Sequence, residues 1–163
     1  MNEYGSAIDQ LSKLESFANV ESNLKDPPVC MPQDRIRAAG IDPDLWYGLG
    51  IVGVWAAIDT FGERTGLRGG SLTQRFEARV AASQHAVLSE LDDLRNLFAH
   101  NFGGVADRTY LADRRRLCLK ENQPYVLSCG YRFNGVANER ITLTLDHFRY
   151  YVSQTRSILA SLK

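Results

Sequence analysis

The sequence has no surplus of charge of either sign. Its 19 lysine and arginine residues balance 19 aspartate and glutamate residues across 163 positions, which gives a formal net charge of +0. A neutral chain has no long-range attraction for a polyanion, so any contact with nucleic acid must come from a local basic patch. The charge balance therefore disfavours a protein that coats DNA.

Cysteine is also scarce, since the chain contains only Cys30, Cys118 and Cys129. An odd number of cysteines without C-x-x-C spacing favours neither a disulfide framework nor a zinc site. We expect these thiols to be reduced and the protein to be intracellular.

Long apolar runs are missing as well. The most apolar stretch, from Leu45 to Phe61, includes glycines and Asp59, and it falls short of the roughly 20 apolar residues that a membrane span requires. The first residues, MNEYGSAIDQLSKLES, lack the basic start and the apolar run of a signal peptide. We expect a soluble, cytoplasmic protein without membrane contact, whose residues 1–163 form a single domain.

Hydrophobic periodicity predicts four helices. The second is apolar nearly all round, as a central, buried helix is. Its glycines each cost about 1 kcal/mol relative to alanine, and close packing against neighbouring helices would compensate. Gly103 and Gly104 are expected to stop the third helix, which Ser71 caps. The predicted helices cover residues 3–20, 44–63 (with Asp42 as the cap and Pro43 as the first helical residue), 71–102 and 146–162.

Between the third and fourth helices the period changes from helical to strand-like. Strands are predicted at residues 117–119, 125–133 and 140–145, with turns at 122–124 and 134–135. The predicted fold class is therefore mainly α: an up-and-down four-helix bundle with a small antiparallel insert, either a β-hairpin or three strands. The insert lies at about residues 110–145, between the last two helices.

The third helix separates apolar from polar side chains around its axis. At about 100° per residue, its core stripe consists of Val87, Leu91, Leu94 and Phe98. The opposite arc carries polar groups, which we expect to face solvent or an interface: Asp92, Arg95, Asn96 and His100. Arginine offers a planar fork suited to phosphate, and histidine takes and gives protons near neutrality. This arc is suited to phosphoryl transfer in RNA.

The spacing of arginine and histidine is not diagnostic by itself, because every histidine follows an arginine a few residues upstream. The three pairs are Arg79 with His85, Arg95 with His100, and Arg140 with His147. Only Arg95 is followed directly by a polar residue, Asn96, on a helix that ends just beyond its histidine. The segment from Arg95 to His100 is therefore the candidate functional centre.

The segment Leu94-Arg-Asn-Leu-Phe-Ala-His-Asn101 resembles the R-x4-6-H motif of HEPN domains, in which asparagine, aspartate or histidine commonly follows the arginine. HEPN domains are bundles of four or five helices with this motif at the end of the penultimate core helix, and the predicted layout is similar. The resemblance implies Arg95 and His100 as catalytic residues, with Asn96 as the polar neighbour that orients them. Asp92 and Asn101 are the candidate supporting residues.

The same resemblance implies a homodimeric endoribonuclease that needs no metal and no other cofactor, often a toxin or an anti-phage effector. An antitoxin or regulatory protein is then a candidate partner. Single-stranded RNA is the expected substrate, because its 2′-hydroxyl can reach an in-line geometry. HEPN toxins that are silenced by adenylylation carry a tyrosine two residues after the histidine, where this chain has Phe102.

Two other polar features have a structural as well as a functional interpretation. Arg114, Arg115 and Arg116 are candidate RNA contacts or a solvated strand edge. Asp59 could orient an arginine of the site or pair with a neighbour such as Arg64.

The polar arc is also open to interpretations other than catalysis. Arg95 could bond to Asp92 or Asp93, with His100 favoured near the helix C-terminus, as cations without a catalytic role. A second alternative is a catalytically inactive HEPN-like dimer with a regulatory role, similar to mannitol-operon-repressor-like proteins, and the neutral charge favours it. A third is an enzyme subunit that requires a partner encoded nearby.

Overall fold

The computed structural model describes residues 2–18, 43–101, 124–136 and 139–162. These residues form five helices and two short strands, so the predicted mainly helical fold is confirmed. The predicted strand at 117–119 and the turn at 122–123 lie outside the described residues. In chain order the elements are α1 (Glu3–Ala18), α2 (Pro43–Arg64), α3 (Leu72–Phe76), α4 (Ala82–Asn101), β1 (Tyr125–Val126), β2 (Arg132–Phe133) and α5 (Leu145–Ser161).

Helix α2 is the centre of the bundle and contacts α1, α3, α4 and α5. Its glycines allow three of these neighbours to approach closely. A Cβ at Gly50 would lie 2.8 Å from Phe148 of α5, one at Gly53 would lie 2.7 Å from Leu14 of α1, and one at Gly48 would overlap the ring of Phe98 on α4. The close helix packing that was predicted at these glycines is confirmed.

Gly48→Ala is expected to lower the free energy of unfolding by roughly 1–3 kcal/mol, because the Phe98 ring is buried and cannot move aside without cost. Urea unfolding measures this change. Gly70→Ala is the matched control, because a Cβ there meets nothing closer than 3.4 Å. A Gly48→Ala protein as stable as the control would contradict close packing at this position.

One side of α2 is less buried than its sequence predicts. Leu49 is 48% exposed, because the neighbouring helices cover the other sides of α2. The expectation that this region is too short for a membrane span is corrected, because the segment Leu45–Arg64 is long and apolar enough to cross a membrane by length and composition. Within its most apolar 18 residues, 44% are buried inside the bundle. Its packing against α1, α4 and α5 is compatible with the core helix of a soluble protein.

The prediction of one continuous helix over residues 71–102 is wrong. Ser71 does act as a cap, accepting the N–H of Gln74 at 3.2 Å, but it starts only the short helix α3. After a turn, Gln84 caps the start of α4 by accepting the N–H of Ala81 at 3.2 Å. Because Leu72 and Phe76 are buried in the core, α3 is a helix separate from α4 and does not continue into it. Tertiary packing thus overrides a sequence without glycine or proline at the break.

The predicted strand over residues 125–133 is also wrong, because the chain reverses within it. Strands β1 and β2 pair antiparallel, with Tyr125 opposite Phe133. Gly130 has a φ of 88° in the turn between them, a conformation that favours glycine. The described sheet has only these two strands, and Leu145 already belongs to α5. Gly135 has a φ of 74°, in agreement with the predicted turn there.

Helix α5 begins with a capping box. The backbone N–H of Thr144 donates to Nδ1 of His147 at 3.1 Å, and the N–H of His147 donates to Oγ1 of Thr144 at 3.4 Å. Burial lowers the pKa of His147 below its usual 6.5, against an opposing effect of Asp146. The buried face of α5 agrees with the sequence prediction. It consists of Phe148, Tyr151, Val152, Thr155, Ile158 and Leu159.

Acidification should weaken this cap, because protonated Nδ1 cannot accept a hydrogen bond. The folded pKa of His147 is depressed, so its contribution to stability is present above the unfolded pKa and is lost as the pH falls through the folded value. The free energy of unfolding, measured from about pH 7.5 to about pH 5, should therefore depend less steeply on pH for His147→Gln than for the wild type. Equal slopes for the two proteins would contradict the cap.

Candidate functional site

The core stripe predicted for the third helix lies on α4 as expected. Val87, Leu91, Leu94 and Phe98 are all buried. Leu88 and Leu97 are buried as well, because α2, α3 and α5 surround α4 on several sides. The buried apolar face of α4 is therefore wider than the single apolar stripe of a helix that has one side in solvent.

The polar arc of α4 is less open than predicted. Asp92 and Asn96 are each 7% exposed, so neither faces solvent, which was one of the two surroundings that the sequence left open. Arg95, which lies on the other side of Asp92 from Asn96 around the helix, is partly buried. The physical reason is that α2 and α3 pack against this side of α4. The arc is a polar seam between helices at these positions.

Arg95 is held by two side chains. Its Nη1 donates to Oδ1 of Asn96 at 2.7 Å. Its Cζ lies over the indole ring of Trp55 on α2, at 4.7 Å from the ring centroid. Asn96 is thus in place to orient the guanidinium, and Trp55 supplies a cation–π contact.

Asp92 acts on the site through Trp55. Its Oδ1 accepts the Nε1–H of Trp55 at 2.8 Å and the backbone N–H of Leu72 at 3.2 Å. A nearly buried carboxylate needs such donors, because burial removes its contact with water. Asp92 therefore supports the site by joining α4 to α2 and to the start of α3.

Asp59 forms an ion pair with neither of the arginines that the sequence suggested. Its Oδ1 lies 2.7 Å from Nη1 of Arg75 on α3, while Arg64 pairs with Glu3 at 3.2 Å. Burial raises the pKa of Asp59 above its usual 3.8, and the positive charges of Arg75 and, more weakly, Arg95 oppose the rise. Asp59 thus fixes α3 against α2 and remains within the electrostatic field of Arg95.

Several predicted site residues lie outside the described part of the chain. His100 and Asn101 belong to the last turn of α4, but their side chains are outside the described residues. Phe102, the Gly103–Gly104 stop and Arg114 to Arg116 are outside it entirely.

Trp55 is the member of the site that sequence reasoning missed, because it was assigned to the apolar core. A signal was present, since Trp55 precedes Asp59 by one helical turn and therefore lies on the same face of α2. The pairing with Arg95 could not be recognised, because the two residues belong to different helices.

The arrangement brings together two arginines and two carboxylates, from Arg75, Arg95, Asp59 and Asp92. A guanidinium has five N–H donors in a fixed fork, which fits the oxygens of a phosphate. Among the described residues, no group of three or more histidine, cysteine, aspartate or glutamate side chains could hold a metal ion. No family model, no curated protein and no solved structure matches this chain.

Proposed function

We propose that this protein is a HEPN-type endoribonuclease that cleaves single-stranded RNA without a metal ion, at a composite site between two copies of the chain. The observation that carries the proposal is the held guanidinium of Arg95, with Nη1 bonded to Asn96 at 2.7 Å and Cζ over Trp55. His100 follows in the last turn of the same helix. A toxin or an anti-phage effector is the biological setting that this activity suggests.

The reaction needs one base, one acid and a stabilising cation. One His100 removes the proton from a ribose 2′-hydroxyl, the 2′-oxygen attacks phosphorus, and the bond to the 5′-oxygen breaks. A second His100 protonates the leaving oxygen, which gives a 2′,3′-cyclic phosphate and a 5′-hydroxyl. Arg95 stabilises the charge that grows on the phosphoryl oxygens. Because one histidine cannot be acid and base in the same step, the site requires a two-fold dimer.

The direct experiment incubates purified protein with single-stranded RNA in EDTA. Wild-type protein should produce 2′,3′-cyclic phosphate ends, and both His100→Ala and Arg95→Ala should produce them far more slowly. The matched controls are His85→Ala and Arg79→Ala, a pair with similar spacing elsewhere in the chain, which should cleave like the wild type. Equal loss in the control pair, or no loss in the candidate pair, would contradict the assigned site.

The oligomeric state provides a separate test. Size-exclusion chromatography with light scattering should give a dimer, and specific activity should fall on dilution below the dissociation constant. An active protein that remains a strict monomer would contradict the composite site.

The burial of the polar arc favours one alternative, a catalytically inactive dimeric module with a regulatory role. Asp92 and Asn96 are both nearly buried and form hydrogen bonds within the chain. Polar groups with a purely structural role are buried and hydrogen-bonded in the same way. A well-folded dimer that cleaves none of a diverse set of RNAs, and whose expression does not arrest growth, would favour this alternative.

A further inference from the structure

Trp55 links the candidate arginine to the centre of the bundle. It lies on α2, the helix that contacts all the others, and its ring is partly buried beneath the side chain of Arg95. The 4.7 Å from Cζ to the ring centroid is within the roughly 6 Å over which a cation is attracted to an aromatic face. Tryptophan provides the strongest such face, so this contact restrains the plane of the guanidinium.

The indole ring is itself fixed by two other elements. Its Nε1–H donates to Asp92 of α4 at 2.8 Å, and the same carboxylate oxygen accepts the backbone N–H of Leu72, where α3 begins. Asp92 is 7% exposed, so water competes little for these bonds. Elements from α2, α3 and α4 together set the orientation of the ring.

Asn96 supplies the remaining restraint. Its Oδ1 accepts Nη1 of Arg95 at 2.7 Å, at the edge of the guanidinium, while Trp55 covers a face. One contact limits tilt and the other limits rotation within the plane. A guanidinium restrained in this way loses less conformational entropy on binding an anion than the guanidinium of a mobile arginine does.

We propose that Trp55 is a positioning residue that aligns Arg95 for the transition state, with Asp92 as the anchor of its ring. The kinetic consequence rests on the proposed function, while the alignment itself does not. Charge on the phosphoryl oxygens grows only as the reaction proceeds, so a misaligned Arg95 lowers kcat and leaves KM nearly unchanged.

The kinetic test compares two substitutions at this position. Trp55→Leu removes the aromatic face and should lower kcat about 10- to 100-fold, with KM within about threefold of the wild type. Trp55→Phe keeps a face for Arg95 but loses the bond to Asp92, so its kcat should lie between those of Trp55→Leu and the wild type. Trp46→Leu is the matched control, since it removes the other tryptophan of α2 and should leave both constants unchanged. Circular dichroism establishes that each variant is folded at the assay temperature.

A second readout does not depend on catalysis. The ring current of Trp55 should shift the Nε–H proton resonance of Arg95 upfield in the wild type. Trp55→Leu should return this resonance to the range of exposed arginines, Trp55→Phe should retain part of the shift, and Trp46→Leu should retain all of it.

The outcomes separate the two proposals. If the wild-type protein cleaves no RNA, the proposed function is wrong. The proton resonance of Arg95 would still show whether Trp55 aligns this residue. A resonance that does not respond to Trp55→Leu would overturn the inference. So would a change in resonance with unchanged kcat, or a Trp55→Phe protein as impaired as Trp55→Leu, because rescue by a second aromatic ring is required.

Discussion

Replacing Arg95 with alanine is expected to lower kcat for RNA cleavage about 10²- to 10³-fold, the loss usually seen when one preorganised donor to a growing oxyanion is removed. The reason is geometric as well as electrostatic. The guanidinium is held by Asn96 at 2.7 Å and by the ring of Trp55, so it needs little reorganisation as the reaction proceeds. Single-turnover cleavage of an end-labelled RNA measures the chemical step directly.

Arg95→Lys distinguishes charge from geometry. Lysine keeps the positive charge but lacks the planar guanidinium, so kcat of Arg95→Lys should lie between those of Arg95→Ala and the wild type. The exposed Arg79, which precedes His85, is the matched arginine, and Arg79→Ala should retain wild-type kcat. Wild-type kcat in Arg95→Ala, with the fold preserved, would show that Arg95 has a structural role alone.

Glu90→Gln is expected to lower the free energy of unfolding by about 3 kcal/mol, because it removes acceptors from several buried donors at once. Glu90 is completely buried on α4 and receives four donor groups from the hairpin and α5. These are the Ser128 N–H at 2.9 Å, the Ser128 hydroxyl at 2.9 Å, the Tyr151 hydroxyl at 2.9 Å and the Tyr125 hydroxyl at 3.2 Å. The amide of glutamine would direct N–H groups at some of these donors.

The ionisation of the neighbours supports this arrangement. Burial raises the pKa of Tyr151 far above its usual value, and the charge of Glu90 raises it further, so this hydroxyl remains a donor. The same two causes, in the same order, raise the pKa of Tyr125. Urea unfolding of Glu90→Gln against Glu77→Gln, a change at an exposed glutamate, measures the effect. Equal stability of the two variants would contradict the view that Glu90 fastens the hairpin to the bundle.

The helices α1 and α5 could be predicted from sequence because each carries a local periodic signal. Helix α2 could be predicted because Asp42 and Pro43 mark the start of a long apolar segment. The break between α3 and α4 could not, because residues 77–81 contain neither glycine nor proline. That break depends on Leu72 and Phe76, which are buried against distant parts of the chain. Local pattern therefore identifies a helix more reliably than it identifies an interruption caused by packing.

The hairpin shows the same limit for strands. Apolar and polar residues continue to alternate through the turn, so the isolated Gly130 was the only local sign of reversal. Glu90 was missed because its partners Tyr125 and Tyr151 are 35 and 61 residues away. Burial of a carboxylate between segments so distant leaves no motif in the sequence.

The candidate site likewise contains one contact that could be predicted from the sequence and one that depends on the packing of distant helices. Asn96 is adjacent to Arg95, so their contact could be predicted from neighbouring positions. Trp55 and Asp92 are 37 residues apart, and only the packing of α2 against α4 brings them together. The same packing buries Asp92 and Asn96, for which helical periodicity alone had left open whether they face solvent or an interface.

The composite site is tested by incubating the wild-type protein with single-stranded RNA in EDTA and identifying the product ends by mass spectrometry. Catalysis by two His100 side chains should give 2′,3′-cyclic phosphate and 5′-hydroxyl ends, and no cleavage where a 2′-deoxynucleotide replaces the attacking ribose. Intact RNA after prolonged incubation with a folded dimer, or cleavage that continues at the deoxy position, would contradict it.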